Sequence, residues 1–560
     1  MNSNRLALPL ILLLALVLRL VNISGHTLWY DEAFAVLFSE KGLDAMLYGT
    51  LTPVAGGAAD IHPLLYYVTL DGWMALFGQS PVVVRLWSVL LGVATVGVMY
   101  LLGRDLFGRN TGLAAAFITA VMPFHVQYSQ EVRMYSLLAL LLLLCTWCFV
   151  RGMNSLTQRD RDAEGQEDKS ISQGYKGTKG QGKDSNSFLL RSSELFWWIA
   201  FGVLAALAMY TQQLAAFYLV ALGLVPTIML ARRARHALPL LKRVVFGAGI
   251  AIVLYLPWLV NLPGQFAKVQ SYYWVAKPPL LRPLLTIRSF LSFNGDIPDH
   301  MAIYTLVGAV FVIAFLLIQT VIYLRRRRSQ PDRGALLLTL WLAAGPIALM
   351  WLVSQIQPIY LERSFIGSAL MLYLALAWLF TRSGTPRPIL AIIGVVAAAT
   401  AAIGLYYQYT WDTFPNSPFG YTAEAIRSDW QEGDVVVHQT KLSALPMIYY
   451  ERDLTQRYLA DAAGSSEDTL ALPTQQSLGL LADECIQTAA RDAQRVWLVT
   501  FDFAEEQYAA AGRLDEYQAP SNWLEEHYSQ TESQNFNDLV VTRYDQPRNE
   551  ADLETNCDEQ

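Results

Sequence analysis

Pro123-Phe124-His125-Val126-Gln127-Tyr128-Ser129-Gln130-Glu131-Val132-Arg133-Met134-Tyr135 is a polar corner, with an acid and a base in it, set where two apolar runs meet. Those runs are Gly112–Gln127 and Met134–Val150, and outward from them the pattern repeats. Further apolar runs cover Leu6–Val21, Val82–Gly103, Leu195–Tyr210, Leu214–Leu230, Val244–Val260, Met301–Leu324, Ala335–Val353, Phe365–Phe380 and Ile389–Tyr407. A hydrocarbon core takes roughly 20 helical residues, so the chain reads as about eleven transmembrane helices. Composition agrees: 54% of the 560 residues are hydrophobic and 16% charged, which excludes an ordinary soluble globular protein. The first run follows Arg5 as a secretory leader would, but no small-x-small cleavage site precedes Trp29. It is expected to remain as the first helix.

The basic residues give the orientation. Arg104 and Arg109, the stretch from Arg151 to Lys183, the stretch from Arg232 to Arg243, Arg325–Arg328, and Arg382 with Arg387 all fall on one side when the spans alternate. That side is expected to be the cytoplasm of a multi-pass cell-membrane protein. The connection 152–193, rich in Gly, Ser, Lys, Asp and Gln, is expected to be a disordered cytoplasmic insert. Residues 1–410 then form the membrane domain. Residues 411–560 are acidic and carry Val-rich strands such as Asp434-Val-Val-Val-His438, Arg495-Val-Trp-Leu-Val-Thr500 and Asp538-Leu-Val-Val-Thr-Arg543, so they read as a soluble, extracytoplasmic α/β domain. Cys485 and Cys557 are a candidate pair in an oxidising compartment. Cys145 and Cys148 lie within an apolar helix and read as packing residues. The net charge of -6, with acid and base in different parts of the chain, gives no sign of a nucleic-acid partner. There is no Walker loop or dinucleotide fingerprint to suggest nucleotide-driven pumping.

Ionisable groups near lipid are costly and mark function by default. Three outward-side clusters qualify. Leu28-Trp29-Tyr30-Asp31-Glu32-Ala33-Phe34 offers two adjacent carboxylates, suited to a general base and a second charge that tunes it. Equally, Asp31 could cap a helix whose first turn holds Glu32. Asp60-Ile61-His62-Pro63-Leu64-Leu65-Tyr66-Tyr67 offers His62 for a hydroxyl or phosphate, or merely as a polar loop end. In the corner itself, Arg133 has the planar fork that grips a phosphate, or it pairs with Glu131, or it snorkels. Arg85 and Arg363 carry the same alternatives. The outward loops Lys268–His300, with Tyr272-Tyr273-Trp274, and Gln357–Arg363 are positioned to help enclose a substrate.

In this order, Leu28-Trp-Tyr-Asp-Glu32, His62-Pro-Leu-Leu-Tyr66, Arg85-Leu-Trp-Ser-Val89, Tyr100-Leu-Leu-Gly-Arg-Asp-Leu-Phe-Gly108 and the corner through Tyr135 resemble the bacterial branch of the protein-mannosyltransferase and aminoarabinose-transferase superfamily, family 39-like. The likeness is dense from about Leu10 to Val150 and looser through Tyr210-Thr-Gln212, Leu256-Pro-Trp258 and Arg363. It departs at Gln212 and Ser364, where family members often carry His and Tyr. It implies a GT-C fold, a polyprenyl-phosphate sugar donor, inversion at the anomeric carbon, and a lipid, glycan or protein acceptor. Asp31 would be the base, with Glu32 beside it. His62, Tyr66, Arg85, Tyr128, Gln130, Glu131, Arg133, Tyr135 and Arg363 would bind substrate, and Arg133 would steady the leaving phosphate. No cofactor is expected, nor a divalent cation, because no ligand set stands at metal-binding spacing. The competing readings are a transporter or lipid flippase of envelope precursors, and a membrane-anchored assembly protein that binds a partner through its tail.

Overall fold

In the computed structural model the first apolar run becomes α1 (Ala7–Leu20), which carries a fully buried cation. Arg19 donates to the carbonyls of Ala15 and Ala120 and to His125 Nδ1 at 2.6 Å, so the imidazole accepts as a neutral ring. The chain then lies along α2 (Tyr30–Ser39) and α3 (Gly42–Leu51), through the small ribbon of β1 (Pro53–Val54) and β2 (Gly57–Ala58), to α4 (Leu65–Phe77). The structure describes residues 6–54, 57–172, 183–231, 237–271, 275–295, 297–326, 332–461, 470–548 and 557.

α5 (Pro81–Phe107) opens on a proline, whose missing N–H costs nothing there, and ends at Gly108 with φ +93°. That left-handed turn sends α6 (Arg109–Val121) straight back along α5. The backbones touch where they cross. A Cβ on Gly112 would stand 2.6 Å from the Tyr100 carbonyl oxygen and 2.8 Å from the Arg104 amide nitrogen. The expected single run Gly112–Gln127 is in fact two helices. Pro123 cannot donate to the preceding turn, so α6 stops at Val121 and α7 (Pro123–Gln130) starts afresh.

α8 (Tyr135–Ser172) and α9 (Lys183–Thr211) follow. Both flanks of the expected disordered insert are thus helical backbone, with 173–182 outside the described residues. Each flank prolongs a membrane helix and so needs no new nucleus. α10 (Ala215–Gly223) and α11 (Val225–Ala231) divide another expected run. Then come α12 (Ala237–Leu259), α13 (Leu262–Ser271), α14 (Arg282–Leu291), α15 (Asp299–Arg326), α16 (Arg333–Ser354), a 3-10 turn at Glu362–Phe365, α17 (Ile366–Arg382) and α18 (Arg387–Thr410). Tyr272, Tyr273 and Trp274 lie outside the described residues, as do Arg232, Arg233, Arg235, Arg327 and Arg328. Among the described residues eight helices are long and apolar enough to cross a membrane. The other three expected runs are the short or divided ones. α17 is the axis of the bundle, its spanning window 89% buried, whereas those of α12 and α18 are 22% buried.

Beyond α18 the chain turns to sheet. After α19 (Phe419–Ser428), β3 (Asp434–His438), α20 (Lys441–Tyr450), β4 (Gln456–Tyr458), α21 (Leu472–Leu478), α22 (Ile486–Ala489), β5 (Arg495–Phe501), α23 (Asp502–Ala510), α24 (Leu514–His527), β6 (Tyr528–Phe536) and β7 (Leu539–Pro547) build one sheet in the order β4-β3-β5-β7-β6. The first three strands in that order are parallel, and β7 and then β6 join antiparallel. Alternation sorts the strand residues into two cores: Val436, Val499 and Phe501 pack with Phe419 and Ala504 on one face, Val437, Val496 and Leu498 with Ile486 and Leu524 on the other. Cys485 and Cys557 are disulfide-bonded, with Cα atoms 5.9 Å apart, while Cys145 and Cys148 are free and buried in α8. The mostly helical, multi-pass fold with an appended α/β unit is as the sequence leads one to expect.

The α5–α6 contact leaves no room for a methyl group. Gly112→Ala should lower the thermal midpoint of the detergent-purified protein, at a cost of about 1–3 kcal/mol. Unchanged melting would show that the helices can part without loss.

Candidate functional site

The site is built around the first turn of α2. Trp29 is the residue before that helix and Glu32 is its third residue, so Glu32 reaches back to the Trp29 amide at 3.4 Å. The capping role thus falls to Glu32 and not to Asp31. Glu32 Oε1 also accepts the Val132 amide at 2.9 Å, tying α2 to the corner between α7 and α8. Arg85 closes the arrangement with a bidentate pair, Nε to Oε1 at 3.0 Å and Nη2 to Oε2 at 2.7 Å. Its remaining three N–H groups go to the carbonyls of Ile23, His26 and Thr27. All five donors of Arg85 are therefore engaged inside the protein, and both members of the pair are almost fully buried.

Asp31, one residue earlier, points elsewhere and keeps 15% of its side chain exposed. Its Oδ2 lies 3.0 Å from Arg363 Nη1 and 3.4 Å from Arg133 Nη2. Burial pushes this carboxyl up, but Arg133, Arg363 and more distantly His62 outweigh it and hold it below the ordinary carboxylate value. Arg133 is buried, and the Arg363 guanidinium lies over the Tyr135 ring, 5.5 Å from its centroid. Residues over 300 positions apart in the chain thus converge on one carboxylate.

Glu131 is the third acid here and behaves differently. Burial, with Glu32 and Asp31 adding to it against the pull of Arg363 and Arg133, raises its carboxyl to about 8. Its protonated form is thereby favoured, and its Oε2 is buried without a hydrogen-bond partner. With Trp29, Glu32, Gln127, Gln130 and Asn294 it lines a cleft at the foot of the α1–α2 loop.

Other expected residues divide in the same way. His62 Nδ1 meets Asp60 Oδ1 at 2.9 Å, and Asp60, despite burial, is held at about 2 by His62 and Lys268. Tyr128 Oη accepts from Asn294 Nδ2 at 2.5 Å, and its ring packs edge-on against Tyr135. Tyr66 is turned away to Ser88, Oη to Oγ 3.0 Å. Gln130 binds the carbonyls of Arg19 and Val21 and accepts from Gln408, which makes it a tie between α1 and α18. Sequence reasoning passed over Tyr67, whose buried hydroxyl has no partner and stands in the field of Arg133, Asp60 and Asp31. The motif shows both tyrosines; only the phase of α4 selects the second. Among the described residues no three His, Cys, Asp or Glu gather where they could hold a metal ion.

The chain is similar to several known proteins. The sequence model for the family "Dolichyl-phosphate-mannose-protein mannosyltransferase" matches residues 61–160. A Bacillus subtilis protein, YkcB, described provisionally as a mannosyltransferase, is 27% identical over 159 residues; the match spans 27% of this chain and 22% of that relative. Among solved structures, ArnT from Cupriavidus metallidurans superposes with a TM-score of 0.58 in its apo state, at 13% identity over 95% of this chain and 97% of that one. Its complex with undecaprenyl phosphate gives 0.55 at 15% identity over the same shares of both chains. The oligosaccharyltransferase AglB of Archaeoglobus fulgidus gives 0.50 at 14% identity, over 97% of this chain and 74% of that one. Fold and site together define a multi-pass membrane protein with the GT-C glycosyltransferase fold, and the family likeness read from the motifs is borne out in the stretch that carries the corner.

Arg85→Lys replaces five fixed donors by three. It should destabilise the folded protein by about 3 kcal/mol, read as thermal stability in detergent; a wild-type melting curve would refute the structural role. Glu131 titrates higher in the fold than unfolded, so its contribution to stability is full below the unfolded value and is lost as pH rises through about 8. Glu131→Gln should therefore flatten the fall in stability as pH rises from about 4.5 to about 8, and parallel curves for both proteins would contradict the assignment.

Proposed function

We propose that the protein transfers a sugar from a polyprenyl-phosphate donor to a lipid, glycan or protein hydroxyl on the extracytoplasmic face, with inversion and with Asp31 as general base. The observation that carries this reading is the partly exposed Asp31 carboxylate held between two guanidinium groups at 3.0 and 3.4 Å. A base and an anion-binding fork stand side by side, as displacement of a phosphate by a hydroxyl requires. The fold neighbours support the donor class: one ArnT structure holds undecaprenyl phosphate, and the AglB complex holds an inhibitory peptide and a dolichol-phosphate. The Cys485–Cys557 disulfide supports the outward side, because such bonds persist in oxidising compartments.

In the proposed reaction the acceptor oxygen attacks the anomeric carbon and its proton passes to Asp31. The bond from that carbon to the phosphate oxygen breaks, and the electron pair leaves on polyprenyl phosphate, where Arg133 and Arg363 receive the charge. In the empty site those arginines make Asp31 a weak base. A phosphate that draws them away restores its basicity, so the base becomes competent as the donor arrives. Tyr67 and Tyr135 border the same spot and would contact the donor phosphate. Glu32 and Arg85 hold the frame, and neutral Glu131 is fit to donate to a sugar hydroxyl.

The test is transfer from radiolabelled polyprenyl-phosphate hexoses and pentoses by the full-length protein in membranes. Asp31→Asn should lose about 10²–10⁴ in turnover while remaining folded; near-normal activity would remove the base assignment. Because the arginines hold Asp31 low in the donor-free site, kcat/KM should persist as pH falls below the range where free carboxylates protonate, about 4. Arg363→Gln takes away one holding charge and should move that acid limb upward.

A further inference from the structure

The segment that carries Asp31 is held from two directions. From the membrane domain come Arg85 and the Val132 amide, both acting on Glu32. Arg85 also holds the Thr27 carbonyl and Arg133 the Asp31 carbonyl; the further holders belong to the C-terminal unit and its connection. The Leu28 amide donates to Tyr450 Oη at 2.8 Å, and the Thr27 hydroxyl donates to the Ser417 carbonyl at 2.5 Å. The Trp29 ring meets Phe414 edge-on, with centroids 5.8 Å apart. These holders are themselves fixed. Phe414 stacks on Phe503 at 4.0 Å, and both the Phe414 amide and the Ser417 hydroxyl donate to Asp538 Oδ2 at 2.8 Å. Tyr450 ends α20, which is itself secured by Tyr449 on the Gln79 carbonyl, while Arg452 just beyond it grips Glu40. Three successive residues immediately ahead of α2 are thus each seized by the tail.

Anchorage alone would not need this. A separate attachment joins the tail to α3, where Thr474 and Ser477 donate to the carbonyls of Gly49 and Ala45, both at 2.8 Å. The contacts at 27–29 instead set the entry of the helix whose second residue is Asp31. Leu28 is fully buried, so without Tyr450 its amide would lack a partner and the loop would have to shift to find one. We infer that the C-terminal unit is a clamp on the catalytic loop, with Tyr450 a positioning residue that keeps Asp31 between Arg133 and Arg363. The catalytic part of this inference rests on the proposed role of Asp31; the mechanical part does not.

The experiment compares wild type, Tyr450→Phe and Ser477→Ala, all full-length in lipid nanodiscs, by hydrogen–deuterium exchange and by sugar transfer. Tyr450→Phe keeps the ring and removes only the acceptor. It should speed exchange over residues 27–33 about tenfold, the loss of one buried hydrogen bond, while Ser477→Ala speeds exchange only near 45–49. Tyr450→Phe should also lower kcat about tenfold with donor KM unchanged, and raise the acid limb of kcat/KM as Asp31 loosens from its arginines. Ser477→Ala should do neither. Identical exchange at 27–33 in the two variants overturns the clamp. Faster exchange with unchanged kcat and pH profile overturns its catalytic role. Faster exchange in a protein that transfers no sugar, wild type included, keeps the clamp and sinks the glycosyltransferase reading instead.

Discussion

The pair between Glu32 and Arg85 is the constraint on which the site depends. Burying two charges near a membrane costs several kcal/mol per ion, and the cost is offset only because every donor and acceptor is used. Arg85 reaches three carbonyls of the chain leaving α1, and Glu32 takes the amides of Trp29 and Val132. Four segments are thereby fixed to one another: the exit of α1, the start of α2, α5 and the corner before α8. Asp31 inherits a rigid backbone, its own carbonyl accepts from Arg133, and its carboxylate faces the arginines.

Three acids and three arginines share this corner without averaging into a uniform salt network. Glu32 is locked with Arg85, Asp31 is ionised between Arg133 and Arg363, and Glu131 holds a proton because burial and two neighbouring carboxylates leave it no better choice. Groups of the same type take three different states from their surroundings, and such separation is what acid–base chemistry needs.

Much of the fold was legible because membrane helices announce themselves by length and hydropathy. The polar corner was legible because polar residues there need a reason. What failed to read was direction. Asp31 and Glu32 are adjacent and chemically alike, and only the phase of α2 makes one the frame and the other the candidate base. Arg85 and Arg363 carry the same charge at span ends, yet one is fully engaged in structure and the other meets Asp31. The division at Pro123 was visible as a proline, but the hydropathy of the run through Gln127 concealed the break. The hold of Tyr450 and Phe414 on the loop had no sequence signal, since it joins segments distant in the chain, Leu28 and Tyr450 being 422 residues apart, through a unit with its own separate core.

The two arginines facing one carboxylate have a consequence for turnover on the proposed reading. A polyprenyl-phosphate sugar is a diester with a single negative charge, whereas the polyprenyl phosphate left behind is a monoester approaching two. Fixed cations attract the second more strongly than the first. A fork aimed at the leaving group therefore grips the spent carrier harder than the fresh one. The slow event of the cycle would then be departure of the carrier lipid, and the traffic of lipid through the bilayer would set the pace.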